Sequence, residues 1–374
     1  MAADRVQRVA ASRLFFPAAA VHAALLLPLS VTGMLGRLSP MPLAVARELH
    51  AGEMLFGFAT AVIAGFLIQS TIRRQLALLF VAWLAGRASV LLLSAPWMVA
   101  FSNGLFVALL LYHTVPMFAG AAKKWRNRSV VLILAGIGLA AMLYHLPGVA
   151  GRISISQSLL PTAVLLLALL MIYMGGRMIP AAYAGHIRRK GGYLAARVQP
   201  RLEAWLIAVM GIAILLQAAG ADQRLSGVVV LVAAVLTGVR LLRWQPWLCR
   251  DRADLFCLGI GYSWLAVGLL LTGLSLVTGL IATTTALHAL TVGALGTLTS
   301  TVMARNWWIK RRRNPEQIRG LPVIVLSISA AALIRLTLPA GSAGGMLVAA
   351  LLWSAAYAGL LWVFLQAGRV MAAR

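Results

Sequence analysis

The chain has 374 residues, 61% of them hydrophobic and only 11% charged, with a formal charge of +25. A soluble globular chain carries roughly 25% charged residues, so this one cannot clothe itself in polar surface, and lipid must be its solvent. A charge of this size suggests nucleic acid in a soluble protein; here the basic residues stand in short runs between apolar spans, with no nucleic-acid-binding motif beside them, and that class is excluded in favour of a positive-inside pattern.

Apolar runs able to cross a bilayer, which takes roughly 20 residues, fall at 14–36, 49–70, 75–94, 97–121, 129–148, 157–180, 202–220, 226–242, 254–278, 281–303, 321–340 and 344–367. The first follows Arg5, Arg8 and Arg13, as a signal peptide would, but ends at Gly36–Arg37 with no A-x-A-like site and reads as a retained helix. The spans at 202–220 and 226–242 are the shortest. The fold class is all-α: a polytopic transmembrane helical bundle of about twelve spans, one transmembrane domain over 1–374. Charge sets its orientation. With the N-terminus inside, 26 of the 33 Lys and Arg fall in inner segments (Arg240, at the inner end of the 226–242 run, counted with its loop), 4 (Arg37, Arg47, Arg152, Arg224) in outer ones and 3 (Arg87, Arg177, Arg335) deeper within spans. The bias is renewed at every second loop and would collapse if one span were missing, so both termini are expected on the cytoplasmic side.

The inner loops near 181–201 and 304–320 are the longest, about 20 residues each, too short for a soluble domain. There is no Walker loop, no GxGxxG after a strand and no GxSxG, which excludes an ATP-driven subunit with its own nucleotide domain. Cys249 and Cys257 form no CxxC and read as incidental rather than as a disulfide.

A charged side chain at the bilayer centre costs about 2.5–3.5 kcal/mol on insertion scales and is a functional hypothesis by default. Depth counted along the spans puts His50, Glu53, Arg87, His145, His288 and Arg335, on five helices, in the outer third of the bilayer. The three histidines are potential metal ligands. The two arginines suit acidic groups of a buried ligand such as haem propionates. Each also has a bland reading: an interfacial or capping histidine, a first-turn glutamate, a snorkelling arginine. On the second span His50, Glu53, Gly57, Ala61 and Ala64 form one stripe, and Gly57, Ala61 and Gly65 form a small-xxx-small pattern for close helix packing. Ala289, Gly293 and Gly296 accompany His288, so both histidines are expected to face protein. His22 and His113 lie nearer the middle or inner half, and His186 is in a basic loop. Arg177 stands in Gly175-Gly176-Arg177-Met178-Ile179-Pro180, where paired glycines and a proline predict a fixed helix end.

Three segments, Glu48–Gly65 (ELHAGEMLFGFATAVIAG), Gly175–Pro180 (GGRMIP) and Leu287–Thr299 (LHALTVGALGTLT), together resemble the NnrS family of bacterial membrane proteins, in the family's order and over the full length. The resemblance implies a haem- and copper-containing protein of the bacterial inner membrane, tied to nitric oxide metabolism and resistance to nitrosative stress, often beside denitrification genes, with no established reaction. By this likeness His50 and His288 are the matched histidines, with Glu53 beside His50 and Arg177 in the GGR segment; from the shared depth His145 joins them as a further metal candidate, and Arg87 and Arg335 as cofactor-binding candidates around a haem b. There are departures. Where the family resembles HxHE, this chain reads His50-Ala51-Gly52-Glu53. Where a further histidine follows the tenth span, it has Asn306-Trp307-Trp308-Ile309-Lys310-Arg311. Where a histidine precedes Gly-Tyr in the ninth span, it has Gly259-Ile260-Gly261-Tyr262. A copper site is therefore less secure than a haem. Twelve spans also suit a secondary transporter, but Glu53 is the one acid clearly within a span, and proton-coupled carriers need buried carboxylates. An assembly partner of a respiratory or denitrification complex is a third reading.

Overall fold

The structure, a computed structural model, describes residues 8–37, 43–92, 95–120, 125–146, 153–339 and 341–369. Arg5, Lys123, Lys124, Arg152 and Arg374, all used in the charge count, lie outside the described residues. Twelve apolar helices follow one another as the hydropathy requires: α1 Ser12–Met34, α2 43–67, α3 Arg73–Leu91, α4 Pro96–Ala119, α5 Trp125–His145, α6 Ile153–Arg189, α7 Pro200–Ala218, α8 Gln223–Arg243, α9 Ala253–Thr278, α10 Thr283–Lys310, α11 Leu321–Thr337 and α12 Ala343–Arg369. Eleven are long and apolar enough to cross a membrane, and α11 is the shorter twelfth. The two spans that were shortest in the sequence, α7 and α8, are full helices. The chain is a multi-pass membrane protein.

The chain divides into two compact units, Met1–Leu159 and Leu160–Arg374. In the first, α1 packs on α2, and α4 lies between α3 and α5. Two short strands, Arg8–Val9 (β1) and Thr71–Ile72 (β2), pair antiparallel and tie the segment before α1 to the turn before α3. Helix α2 is not α-helical throughout. Glu53–Phe58 is π-helical, between α-helical Leu43–Gly52 and Ala59–Leu67. Such widened turns are rare and cluster at functional sites, because they displace backbone carbonyls and side chains from the regular ladder.

In the second unit α9 is the centre, packed by α8, α10 and α11, with α7 on α8 and α12 on α10 and α11. Glycines set the closest crossing. A Cβ on Gly227 would meet the Gly273 carbonyl at 2.9 Å, and one on Gly273 would meet the Gly227 carbonyl at 3.0 Å, so α8 and α9 touch backbone to backbone. Helix α10 repeats the irregularity of α2: Ala289–Gly296 is π-helical and begins directly after His288.

The helix end expected at Pro180 is absent. Helix α6 runs on to Arg189. Proline removes one backbone donor, and a buried helix tolerates this when neighbours satisfy the freed groups. Upstream of Pro180, and apart from the group that it frees, the Arg240 guanidinium donates to the Ile172 carbonyl at 3.1 Å, one turn ahead of the glycine pair. With α10 continuing to Lys310, the two long inner loops shrink to connectors containing the single turns Ala195–Arg197 and Pro315–Gln317.

The charge bias predicts that a phosphatase active only outside the cytoplasm is inactive when fused after Arg374 and active when inserted in the turn between α7 and α8. The opposite pair of results overturns the orientation.

Candidate functional site

The first unit buries a carboxylate. Glu53, the first residue of the π-helical segment of α2, is 1% exposed. Burying an unpaired carboxylate is prohibitive, so it must meet positive partners. Arg87 of α3 donates to Glu53 Oε1 at 2.6 Å, and His22 of α1 brings Nε2 to 3.2 Å from Oε2. The other end of the Arg87 fork donates to Asn103 of α4, whose amide in turn donates to the Val99 carbonyl at 2.9 Å. Four helices thus converge on one carboxylate.

The backbone makes room for this. A Cβ at Gly57 would collide with the Arg87 guanidinium, Glu53 Oε2 and His22 Nε2 together. The Gly57 carbonyl, inside the π-helical segment, accepts from Trp83 Nε1 of α3 at 3.0 Å, and the Trp83 ring stands edge-on to His22 with centroids 5.7 Å apart. The stripe read as helix packing therefore does two jobs. Gly65 admits Phe15 and Phe16 of α1, as close packing requires, whereas Gly57 houses charge.

His50 and His145 flank the cluster without joining it. The His50 ring Nδ1 lies 3.2 Å from Ser30 Oγ, whose hydroxyl proton goes to the Leu27 carbonyl. With that proton on Leu27, the consistent assignment has Nδ1 donating and Nε2 as the acceptor nitrogen. His145 Nδ1 bonds the Ala141 carbonyl at 2.7 Å, and its ring lies 6.0 Å from that of Phe56. Both histidines are half-buried.

The depth assigned to Glu53 needs correction. Helix α2 begins at Leu43, not 49, so Glu53 lies about three turns from its N-terminal end. It meets α1 at His22, near the middle of Ser12–Met34. Glu53 is central in its unit and not part of an outer ring.

The second unit packs the segment Thr283–His288 against α11, the helix that carries Arg335. His288 Nδ1 donates to the Thr284 carbonyl at 2.6 Å, so Nε2 is again the acceptor nitrogen. Arg335 stands in the last turn of α11. No acidic residue pairs with Arg335 among the described residues. The π-helical segment beside His288 is held by Trp264 of α9, which fills the space a Cβ on Gly293 would take and donates to Ser329 of α11 at 3.0 Å.

Arg177 belongs to a different group. It stacks over Tyr173 at 4.4 Å and pairs with Glu203 of α7 at 3.8 Å. Gly175 packs against Tyr262, and a Cβ on Gly176 would strike the Arg240 guanidinium. The GGR run lets buried Arg240 approach the α6 backbone. Sequence reasoning put Arg240 in a loop and counted Glu53 alone as an acid within the spans; Glu203 and Asp254 are buried in α7 and α9 as well. Among the described residues no three His, Cys, Asp or Glu side chains converge as a metal-binding group.

The family model described as NnrS protein matches residues 9–368. The chain belongs to the NnrS family. No curated protein matches it. Membership and the multi-pass helical fold fit a membrane protein tied to nitric oxide response. Against the NnrS pattern, the glycine standing where a second histidine was expected has a structural counterpart. A Cβ on Gly52 would lie 2.5 Å from the Tyr144 ring, and the Tyr144 hydroxyl donates to the Glu48 carbonyl at 2.8 Å. Tyr144 fills the room that a side chain at position 52 would need. The run after the tenth span serves packing: Trp307 Nε1 donates to the Phe364 carbonyl of α12 at 3.1 Å.

Two outcomes follow. Arg87→Met strands a buried carboxylate and costs about 3–5 kcal/mol in thermal or denaturant unfolding, whereas adding Glu53→Gln to it recovers part of that loss; equal instability of single and double variants contradicts the pairing. Gly52→His alone lowers stability, and Gly52→His with Tyr144→Gly restores it, as read by melting temperature in detergent.

Proposed function

We propose that this NnrS-family protein binds haem b in the bacterial inner membrane and acts in nitric oxide metabolism or resistance to nitrosative stress. The observation that carries the reading is shared by His50 and His288. Each follows a leucine and precedes an alanine, each stands at or just before a π-helical segment, and each commits Nδ1 to a local oxygen. That tautomer makes Nε2 the nitrogen with a lone pair for a metal, the usual arrangement of metal-binding imidazoles.

The residues fit haem better than copper. An axial position needs one imidazole, whereas a protein copper site draws several N or S donors together. Arg335, without a carboxylate partner among the described residues, suits a propionate. Arg87 does not, because both its terminal nitrogens are engaged inside the first unit. When bound, a haem iron would supply a site for a diatomic ligand; His50 in the first unit, and His288 with Arg335 in the second, are the side chains that would hold such a group.

Protein expressed with a haem supply is expected to show a Soret band that His50→Ala or His288→Ala weakens while the fold, read by circular dichroism, persists. His145→Ala, whose ring packs on Phe56, serves as comparison. A Soret band unchanged in both the His50 and His288 variants sinks the ligand assignment, and wild-type protein without haem sinks the function.

A further inference from the structure

A cavity of about 580 Å³ opens in the second unit at the end where basic residues concentrate. It lies between the last turns of α6, the start of α9, the end of α10 and the turn Pro315–Gln317, and its polar lining is Arg189, Arg252, Arg305, Asn314 and Glu316. Its volume falls within the roughly 300–1,000 Å³ of small-ligand sites. A Cβ at Gly185 would meet nothing within 4 Å, so the wall there is open space rather than a packed contact.

The charges do not balance. Arg252 forks onto Asp254, Nε to Oδ1 at 3.0 Å and Nη2 to Oδ2 at 3.2 Å, and Arg305 pairs with the same Oδ2. Two guanidiniums therefore share one buried carboxylate. The second acid is Glu316, 3.4 Å from Arg252, with a side chain 53% exposed on its short turn. Arg189, at the mouth, has no acidic partner among the described residues. The neighbouring cation is already spoken for: Lys190 donates to Asp251 at 2.8 Å and His186 stands 3.1 Å away, and the Lys190 bond first, then that of His186, draws the Asp251 carboxyl down to about 2. The uncompensated charge belongs to the cavity.

Three guanidiniums around a cavity match the oxygens of a phosphate group better than a diffuse basic surface does. The apolar part of the lining, Leu255 and Ile309, lies at helix ends, where headgroups meet hydrocarbon, and Ile309 is 53% exposed. A phosphate there has an apolar exit for attached chains. Basic pockets between membrane helices take phospholipid headgroups in this manner.

We propose that this cavity binds the phosphate of an anionic phospholipid headgroup from the adjoining leaflet, with Arg189, Arg252 and Arg305 as its ligands and Glu316 as the competing anion. Arg252 and Arg305 also hold Asp254, so the informative variants are at the rim. Full-length protein in phosphatidylcholine nanodiscs is titrated with phosphatidylglycerol, and retained lipid is counted by native mass spectrometry. Arg189→Gln is expected to weaken retention about tenfold, as the loss of one charge-assisted contact would, and Glu316→Gln to strengthen it. Arg188→Gln, a neighbouring exposed arginine outside the lining, leaves retention unchanged. Equal effects of the Arg188 and Arg189 variants, or no gain with Glu316→Gln, overturn the site. A parallel arm adds inorganic phosphate and glycerol phosphate: displacement of the lipid only at concentrations far above the lipid's supports the lipid source, and preferential capture of either soluble anion overturns it.

Discussion

A carboxylate in the middle of an apolar helix bundle must find positive partners before the bundle can close. Glu53 finds them in Arg87 and His22, and the surrounding structure is arranged to let it. The π-helical turn of α2 sets the carboxylate, Gly57 leaves the space for three polar groups, Asn103 anchors the far end of the arginine, and Trp83 binds the displaced Gly57 carbonyl. Helices α1 to α4 are thereby fixed to one another by a directional contact. Packing among lipid-like side chains alone would not do this, since no hydrophobic force distinguishes a helix neighbour from lipid.

The second unit solves its polar problems differently. Arg335, in the last turn of α11, has no acidic partner among the described residues, and the segment that carries His288 packs against that helix. Elsewhere each buried charge has a counterpart: Asp254 draws in Arg252 and Arg305, Glu203 meets Arg177, and Arg240 donates to an α6 carbonyl that Gly176 exposes. Arg335 is left without a carboxylate partner among the described residues, which is why it enters the functional reading beside His50 and His288.

Much of the architecture was legible. Hydropathy alone located all twelve helices to within a few residues at most ends, because crossing lipid leaves few alternatives to a long apolar helix. The errors have physical causes. Helix α6 runs on through Pro180 because a proline removes only one backbone bond, and a long buried helix absorbs that loss where a local reading sees a stop. Helix α2 began earlier than its apolar run because Leu43–Gly52 is an amphipathic start, and this moved Glu53 deeper than counted. His22 was passed over although Glu53 announced a need for a partner: both lie about three turns from the connection between α1 and α2, a coincidence that a search for counter-ions by depth would have caught. The π-helical segments and the role of Tyr144 beside Gly52 carry no pattern in the sequence that propensity or periodicity could reveal.

The account turns on haem as the group that His50 and His288 serve. The most direct measurement is the iron and copper content per chain of purified wild-type protein, taken with its absorption spectrum. Near-stoichiometric or greater iron accompanied by a haem spectrum, with copper well below it, is the predicted result; copper in stoichiometric amount without haem iron contradicts it.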